Sequence, residues 1–544
     1  MIKYTPANQL TLDGFSTPFE NSLSPDNRWV KLAKVIPWDD LAKIYISKLN
    51  NHSGRNSIDV RMVIAALIIK HKLGLDDRGT VKMISENVYL QYFCGLPSFQ
   101  VEEPFHPTVF VDIRKRMGAV SFDKWNELII EKADSLKPKQ KKNISKTDSD
   151  DEDSPDDNQS ISEKQEQDID KKPQNKGTLK IDATVANQKI VFPTDANLLN
   201  TARQETERLI DLLYAQSTYT KKPRTYRKVA RTEYLNFSKN RKKSKKVIRK
   251  FIKKQFSYLR RNFKHIEKLL DNIEQKNQQQ KNKKEKSYFF AKKFPLSYRD
   301  QKIYWVLQIL YQQQRYMYEN KTHSHSGRIV NIYQPYVRPI PRGKDKSATE
   351  FGAKISASEV DGFSRVEHIG WDNFNESRDL VLQVENYYNI YGHYPELVLA
   401  DRIYLNRDNR KYLKNKGIRI VGKPLGRPKK EKLNAYQRRK QKKERNQRNL
   451  IEGKFGQAKN AYGLNNIPAK RKDTSESWIS AIFFVMNLVK LMKIAEKYAI
   501  FCAFFERIYQ SIKFALSNHT KRIFCAIFEH KIEKQNINAV SLQI

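Results

Sequence analysis

Residues 178–192 read TLKIDATVANQKIVF, and this stretch decides what kind of fold the sequence predicts. Apolar and polar residues alternate along it and several are β-branched, which is typical of strands. We interpret the stretch as the two strands of a hairpin. A long region with helical spacing follows it, and strand patterns return at 327–337, 349–360 and 363–368. The sequence therefore predicts an α/β core that is interrupted by a helical insertion at about residues 198–325.

Downstream of these strands, short apolar strands alternate with a helix. PELVLAD (395–401) reads as a buried strand, LNRDNRKYLKNKG (405–417) as a helix, and IRIVG (418–422) as another strand. In α/β proteins ligands bind where such strands end, and a carboxylate there is costly unless something compensates it. We therefore regard Asp182 and Asp401 as candidate site residues. The alternative for each is an ordinary turn or helix-cap residue.

Positive charge is abundant and clustered. Lys and Arg number 102 against 60 Asp and Glu, which gives a formal net charge of +42 and favours a polyanionic partner. Residues 221–261 hold eighteen Lys and Arg with interleaved aromatic residues, and residues 427–448 hold eleven. Such density predicts phosphate contacts, although a charge run is often only a solvated face. The candidate DNA-binding residues of the first run are Lys242, Lys243, Lys245 and Lys246.

Cysteine usage and hydropathy favour a cytoplasmic protein that associates with the nucleoid. The three cysteines are Cys94, Cys502 and Cys525, without the paired spacing of a disulfide framework or a zinc site. The N-terminus lacks the pattern of a signal peptide, and no apolar run is predicted to span a membrane. The sequence is therefore most simply that of a soluble protein working on nucleic acid.

The N-terminal region, residues 1–135, is predicted to be a helical DNA-binding domain. Residues 58–130 contain three stretches with helical spacing, and the last carries Arg114 and Arg116. Three short helices with a basic third one are compatible with a helix-turn-helix reader, which would place these arginines on DNA. The alternative is an ordinary small helical bundle.

Residues 136–176 are predicted to form a disordered acidic linker. Within it, residues 148–170 contain eleven Asp and Glu and almost nothing to bury. Its simplest role is a solvated spacer; the alternative is that it occupies a basic DNA groove in cis. At the other end of the chain, residues 496–544 are expected to be an amphipathic C-terminal tail.

A third acidic residue completes the pattern. Glu452 stands in the series Arg448, Glu452, Lys459, spaced R-x3-E-x6-K. With Asp182 and Asp401 this series resembles the DDE transposases of bacterial insertion sequences, in particular the branch typified by insertion sequence five. The resemblance covers about residues 15–130 and 178–495, and the stretches that carry it are KIDATVANQKIVFPTDANLL, RPIPRGK, TEFGAKISAS, LADRIY and RNLIEGKFGQAKNAYGL. One departure is Arg445, where wider relatives have tyrosine.

The resemblance implies a ribonuclease H-like catalytic domain over residues 177–495. It implies that Asp182, Asp401 and Glu452 are the catalytic residues and hold two Mg²⁺ ions, with Mn²⁺ as the alternative metal. Carboxylates are the ligands that such hard cations prefer, and two ions can assist both the attacking and the leaving oxygen. It also implies double-stranded DNA as partner, both element ends and target, and a homodimer on that DNA. Phosphate contacts are assigned to Arg448 and Lys459, for which a helix ion pair with Glu452 is the alternative.

Two rival functions stay open at this point. One is a nuclease of the same fold that hydrolyses DNA without joining it, and the other is a non-catalytic DNA-binding protein derived from a transposase. The complete acidic triad argues against the second. His323 and His325 are interpreted as loop residues, and GRPKK at 426–430 resembles a minor-groove hook.

Overall fold

The computed structural model describes residues 2–6, 22–49, 57–136, 175–281, 294–344, 347–421 and 434–515. The predicted acidic linker lies almost entirely outside these described residues. The GRPKK stretch and the C-terminal tail beyond residue 515 lie outside them as well. The mixed α/β character that the sequence predicts is confirmed, with one sheet and many helices.

The described part of the N-terminal region contains seven helices. The helical spacing recognised from residue 58 onward is confirmed, most clearly in the third helix, which Asp59 caps by accepting hydrogen bonds from two backbone N–H groups. Gly74 ends the same helix in a left-handed conformation with φ of 67°. The helices are α1 (Arg28–Val35), α2 (Trp38–Ile46), α3 (Val60–Leu73), α4 (Asp77–Glu86), α5 (Val88–Phe93), α6 (Val109–Arg116) and α7 (Ala119–Ser135).

These N-terminal helices share one hydrophobic core with the sheet and with the last helix, which spans Lys472–Ala515. On that last helix, Phe484 packs against Trp125 of α7 with ring centroids 4.9 Å apart. The Trp125 side chain is almost fully buried, and its indole N–H donates to the carbonyl of Leu41 at 3.1 Å. The N-terminal helices are therefore part of the main body of the protein.

The sheet has six strands: β1 (Thr178–Asn187), β2 (Arg338–Lys344), β3 (Ser347–Val360), β4 (Phe363–Gly370), β5 (Leu397–Leu399) and β6 (Arg419–Ile420). Their order is β2-β3-β1-β5-β6, and β4 also pairs with β3. β1 is antiparallel to β3 and parallel to β5, so it is a central strand. The predicted hairpin at 178–192 is wrong, because β1 pairs with strands that are distant in sequence and residues after Asn187 form no second strand.

β1 and β3 approach each other closely at Gly352. A Cβ atom at this position would lie 1.9 Å from the carbonyl oxygen of Ala186 on β1. Gly352 is paired with Asn187 in the antiparallel register. Glycine is thus required here by the contact between two backbones, not by its own backbone conformation.

Four helices between β1 and β2 form the helical insertion, and they have a core of their own. They are α8 (Asp195–Tyr214), α9 (Arg227–Lys239), α10 (Lys245–Lys281) and α11 (Tyr298–Glu319). Thr194 caps α8 and Ser297 caps α11. Apolar residues at helical spacing, among them Leu259 on α10 and Leu307 on α11, are fully buried in this second core.

The segment at 327–337, predicted as a strand, is irregular, so this prediction is wrong. Its apolar residues are buried in two different places. Ile329 and Ile332 pack into the core of the insertion, whereas Val330 and Val337 pack into the main core. An alternating pattern arises here because the chain passes between two cores, without any strand pairing.

The remaining helices are α12 (Leu380–Tyr391), α13 (Arg407–Asn415), α14 (Ala435–Ala461) and α15 (Lys472–Ala515), and short 3-10 turns occupy Glu376–Asp379 and Arg402–Tyr404. The predicted order of strand, helix and strand at β5, α13 and β6 is confirmed. A capping box between Asn434 and Gln437 begins α14. Helix α12 packs with Leu179 and Ile181 of β1 in a third cluster.

Within the described part of the chain, one helical segment is long and apolar enough to cross a membrane by length and composition. It is Lys472–Phe504 of α15, and 67% of its most apolar window is buried inside the protein. No apolar run was predicted from the sequence to span a membrane, so this segment departs from that expectation in length and composition. Its burial against the N-terminal helices and the sheet is the property of a core helix in a soluble protein.

Candidate active site

Asp182 lies in the middle of β1, opposite Ala357 of β3. This corrects the expectation that it would lie at the edge of the sheet. Its side chain is 16% exposed, and its Oδ1 accepts the backbone N–H of Ala183 at 2.8 Å. A central strand thus holds this carboxylate in a fixed and largely buried position.

Asp401 follows β5 by two residues. Because β5 is parallel to β1 with Leu399 opposite Lys180, continuing the register by two residues brings Asp401 beside Asp182. Its carboxylate accepts the backbone N–H of Arg402 at 2.7 Å and caps the 3-10 turn that follows. Asp401 is exposed, so the capping role leaves it accessible.

Glu452 lies on α14, which packs across β1 and β5. The neighbouring side chains Ile451 and Phe455 are buried and fix the rotation of the helix. Arg448, one turn earlier, lies between two of the acids: its guanidinium is 2.9 Å from Glu452 Oε1 and 3.9 Å from Asp182 Oδ2. The ion pair with Glu452, which was the alternative interpretation of Arg448, is therefore present.

The three acids line one open cleft of about 920 Å³. Arg448 and Lys459 line it too, so all five residues predicted from the sequence pattern border the same space. Lys459 does not pair with Glu452; its Nζ lies 3.6 Å from Glu350 Oε1 on β3. The further lining residues include Ala183, Thr184, Val185, Ile340, Pro341, Lys354, Asn373, Phe374, Asn375, Glu376, Ile403, Phe455 and Gly456.

The electrostatics of the cleft are dominated by negative charge around a buried carboxylate. Burial, together with the charges of Glu376 and Glu452, raises the pKa of Asp182 to about 6 against the opposing effects of the Ala183 N–H and the Arg448 guanidinium. A carboxylate in this setting is stabilised in its charged form by any added positive charge.

The donor chemistry of the cleft suits a hard divalent cation, since carboxylate oxygens are what such ions prefer. In the described residues, no three His, Cys, Asp or Glu side chains stand close enough to form a closed metal-binding group. Arg448 instead lies between two of the acids. The three acids therefore fit a metal by chemistry and by their shared cleft, with a more open arrangement than a closed ligand set.

The predicted lysines of the insertion lie on its surface. Lys245 and Lys246 begin α10 and are exposed, as is Lys242, while Lys243 lies over the ring of Phe237 at 5.2 Å. Phe237 in turn stacks on Phe251 at 4.1 Å. The positively charged surface at the start of α10 therefore lies next to packed aromatic rings.

The predicted arginines of α6 differ from each other. Arg114 makes two hydrogen bonds of 2.8 Å to the carboxylate of Asp77, and its side chain is only 11% exposed. It also lies over the ring of Trp478 at 5.3 Å. This geometry is that of a structural ion pair. Arg116 is exposed, with a guanidinium nitrogen 3.4 Å from the Tyr45 hydroxyl.

Sequence reasoning missed two residues of the cleft, Lys354 and Glu376. Lys354 lies in the TEFGAKISAS stretch and Glu376 in a 3-10 turn, and their side chains pair at 2.9 Å. Neither has a motif of its own, and only the fold brings them together. The loop interpretation of His323 and His325 is confirmed; His323 is exposed and lies 3.9 Å from Asp195, and His325 is partly buried.

Comparison with known proteins finds family matches for two segments of the chain. A family model described as a transposase DDE domain matches residues 398–489, and a second, described as a transposase domain, matches residues 17–116. A protein of Rhizobium meliloti, named "Uncharacterized protein ORF8 in nfe locus", is 29% identical over 121 residues. The match covers 22% of this chain and 58% of that relative's length. No solved structure matches the chain.

Asp401, Arg448, Glu452 and Lys459 all lie within the segment that matches the DDE domain. Asp182 lies outside both matched segments, but it lines the same cleft. Two segments of the chain are thus similar to transposase domains, and the second of them carries four of the five residues that the sequence pattern predicts.

Proposed function

We propose that this protein is a transposase that cleaves DNA at the ends of an insertion sequence and joins the freed 3′ ends to target DNA. The observation that carries the proposal is that Asp182, Asp401 and Glu452, from distant parts of the sequence, line one cleft together with Arg448 and Lys459. Phosphoryl transfer requires an activated oxygen nucleophile and stabilisation of the leaving oxygen, and a cleft lined by carboxylates is suited to both.

The three carboxylates would hold two divalent ions, with Mg²⁺ as the natural ion and Mn²⁺ as a substitute. When bound, these ions supply Lewis-acid activation of the nucleophile and of the leaving 3′ oxygen. The protein's own part is to fix the ligands: Asp182 by a central strand, Asp401 by the turn after β5, and Glu452 by a helix packed on both strands.

Arg448 and Lys459 would contact phosphates on either side of the reacting bond. Both lie on α14 and line the cleft. Arg448 already balances part of the charge of Asp182 and Glu452, and a guanidinium is well suited to a phosphate that enters between them. The geometry thus supports a dual role for Arg448, as partner of the acids and of the substrate.

A ribonuclease H-like core is the fold that we propose for residues 177–495. Its support is a sheet in which β1 has an antiparallel neighbour on one side and parallel strands on the other, with acids on β1, after β5 and on a packed helix. The resemblance to the branch of insertion sequence five belongs to the same proposal, and so does a homodimer that holds two element ends.

The exposed lysines around the start of α10 and the basic first half of α14 would supply affinity for the DNA backbone. Residues 438–448 of α14 are rich in Lys and Arg and lead along the helix toward Glu452. A strand held along this helix would be delivered to the acids. This continuity between a cationic helix and the cleft supports double-stranded DNA as the substrate.

The test is cleavage and strand transfer by the purified full chain, with Mg²⁺ and a duplex built from the two borders of the element. We expect Asp182→Asn, Asp401→Asn and Glu452→Gln each to reduce both reactions at least about 100-fold, because each loses an anionic ligand with little change of shape. Glu319→Gln, an exposed acid of α11 outside the cleft, is the matched control and should retain the wild-type rate.

DNA affinity measured on the same variants separates chemistry from folding. It should persist in all three, since the basic surfaces are untouched. A variant that joins ends at the wild-type rate would contradict the role of that residue. Cleavage without any joined product in the wild type would identify a nuclease instead.

A further inference from the structure

One wall of the catalytic cleft does not belong to α14. It consists of Lys354 on β3 and of residues 373–376, which follow β4. In the described part of the chain, the cations that line the cleft are Arg448 and Lys459 on α14 and Lys354 on this other wall. Lys354 is therefore the cation of the cleft that an element other than α14 supplies.

The Lys354 ammonium is held in a defined place. It donates hydrogen bonds to Glu376 Oε2 at 2.9 Å and to the carbonyl of Phe374 at 2.8 Å, and it lies 5.1 Å from the centroid of the Phe374 ring. The side chains of Lys354 and Glu376 are 14% and 17% exposed. A lysine ammonium has three N–H donors, so these two acceptors leave one donor for a ligand.

The segment that carries these acceptors is itself fixed by packing. A Cβ atom on Gly370 would lie 2.5 Å from the Phe374 ring, so the ring sits directly against the end of β4. The ring also packs 4.4 Å from His368, and Asn375 caps the 3-10 turn through the N–H of Ser377 at 3.1 Å. The acceptors of Lys354 are therefore parts of a packed structure.

Charge explains why a lysine is useful here. Four acids, namely Asp182, Asp401, Glu452 and Glu376, line a cleft that must admit a polyanion. Glu376 is close enough to Asp182 to raise the pKa of that carboxyl. A cation on β3 would lower the repulsion felt by the DNA backbone, and charge-assisted contacts to phosphate are among the stronger hydrogen bonds.

We propose that Lys354 binds a DNA phosphate adjacent to the one that is cleaved, and that Glu376 is a positioning residue that orients the Lys354 ammonium. The inference rests on the proposed function, since it assumes that a DNA strand occupies the cleft. The DNA strand would then be contacted both by α14 and by Lys354 on β3.

The experiment replaces single phosphates near the cleavage site with uncharged methylphosphonates and measures cleavage by the full-length enzyme. In the wild type, one position next to the scissile phosphate should lose about 10-fold to 100-fold in kcat/KM, the range expected for a charged hydrogen bond. With Lys354→Met the unmodified DNA should be cleaved more slowly by the same factor. The methylphosphonate at that position should then have no further effect.

Two variants test the role of Glu376. Glu376→Ala should shrink the methylphosphonate effect at the same position, because the ammonium loses its anchor. Glu376→Gln, which retains a carbonyl acceptor, should preserve most of it. Lys354→Arg should restore part of the rate that Lys354→Met loses. The matched control is Lys302→Met, an exposed lysine of α11 outside the cleft, which should leave the methylphosphonate profile unchanged.

The outcomes separate the inference from the proposed function. If the wild type cleaves the DNA but Lys354→Met retains the full methylphosphonate effect, the phosphate contact is refuted and the proposed function stands. If Glu376→Ala leaves the profile as in the wild type, the positioning role is refuted. If the wild type cleaves no element-border DNA at all, the proposed function fails and this inference fails with it.

Discussion

The two helical regions of the protein, the N-terminal helices α1 to α7 and the insertion α8 to α11, are built in opposite ways. The N-terminal helices bury their apolar faces against α15 and the sheet, so they share the core that supports the cleft. The insertion buries its apolar residues within itself. Both regions were expected to bind DNA, although the dense runs of Lys and Arg lie in the insertion and not in the N-terminal helices. Similar helical sequence patterns therefore form part of the main body in the N-terminal region and a self-contained unit in the insertion.

The largest expected effect comes from breaking the shared core. Trp125→Ala removes a buried ring that contacts Phe484, and it should cost about 4 kcal/mol of unfolding free energy. Leu259→Ala, in the core of the insertion, should cost about 3 kcal/mol. Calorimetry of the full chain should show Trp125→Ala lowering the transition of the main body and Leu259→Ala lowering a separate one. A single transition that both variants shift alike would contradict the independence of the insertion.

A buried ion pair offers the next test of how the N-terminal helices are joined to α15. Asp77 pairs with Lys70 at 2.5 Å and with Arg114, and both cations lie against Trp478 of α15. Asp77→Asn leaves these cations without a counter-charge and should cost about 3 kcal/mol at neutral pH. Asp112→Asn, an exposed acid of α6, is the control and should have little effect.

The pH dependence of this pair has a definite sign. Burial tends to raise the pKa of Asp77, but the hydrogen bonds from Arg114 and the charge of Lys70 outweigh it, so the pKa is lowered. A lowered pKa gives stability that is present above the ordinary carboxyl pKa of about 3.9 and is lost as the pH falls through the folded-state value. Urea unfolding should therefore show the cost of Asp77→Asn at pH 7 and a smaller cost at pH 3. An equal cost at both pH values would rule out the charged pair as its cause.

The smallest expected effect concerns how the two regions share DNA affinity. Each phosphate contact contributes about 0.9 to the slope of log affinity against log salt. Replacing Lys242, Lys243, Lys245 and Lys246 with Gln should flatten that slope by up to about 3.6. Replacing Lys115 and Arg116 of α6 should flatten it by up to about 1.8. Fluorescence anisotropy over a salt series measures both, and an unchanged slope in the first variant would make the insertion's lysines a solvated face.

Local sequence patterns correctly predicted the helices and strands that are determined by residues close together in the sequence. The helical spacing of α3, the buried strand β5 and the helix that ends before Gly417 all came from neighbours in sequence. The hairpin after Asp182 failed because the partners of β1 are β3 and β5, which lie far along the chain. Strand propensity indicates that a strand forms, but the choice of partner depends on the whole sheet.

The residues of the candidate site show the same contrast between local sequence patterns and contacts that only the fold creates. Asp182, Asp401 and Glu452 could be named from the sequence because a spacing pattern and a family resemblance identify them, and they do line one cleft. Arg114 was expected to bind DNA, yet it forms an ion pair with Asp77 and its side chain is only 11% exposed. Lys354 and Glu376 were missed because their significance depends on a contact between β3 and a turn after β4. Charge alone does not reveal whether a side chain already has a partner.

The close approach of β1 and β3 at Gly352 affects how genomic copies of such a gene should be interpreted. A side chain at this position would force β3 and β1 apart at Ala186, on the strand that carries Asp182. A gene copy with that substitution would still encode all three acids in their expected spacing. Under the proposed function, counting gene copies with intact acidic triads would therefore overestimate the number of active copies. Gly352 belongs among the positions that distinguish an active copy from an inactive one.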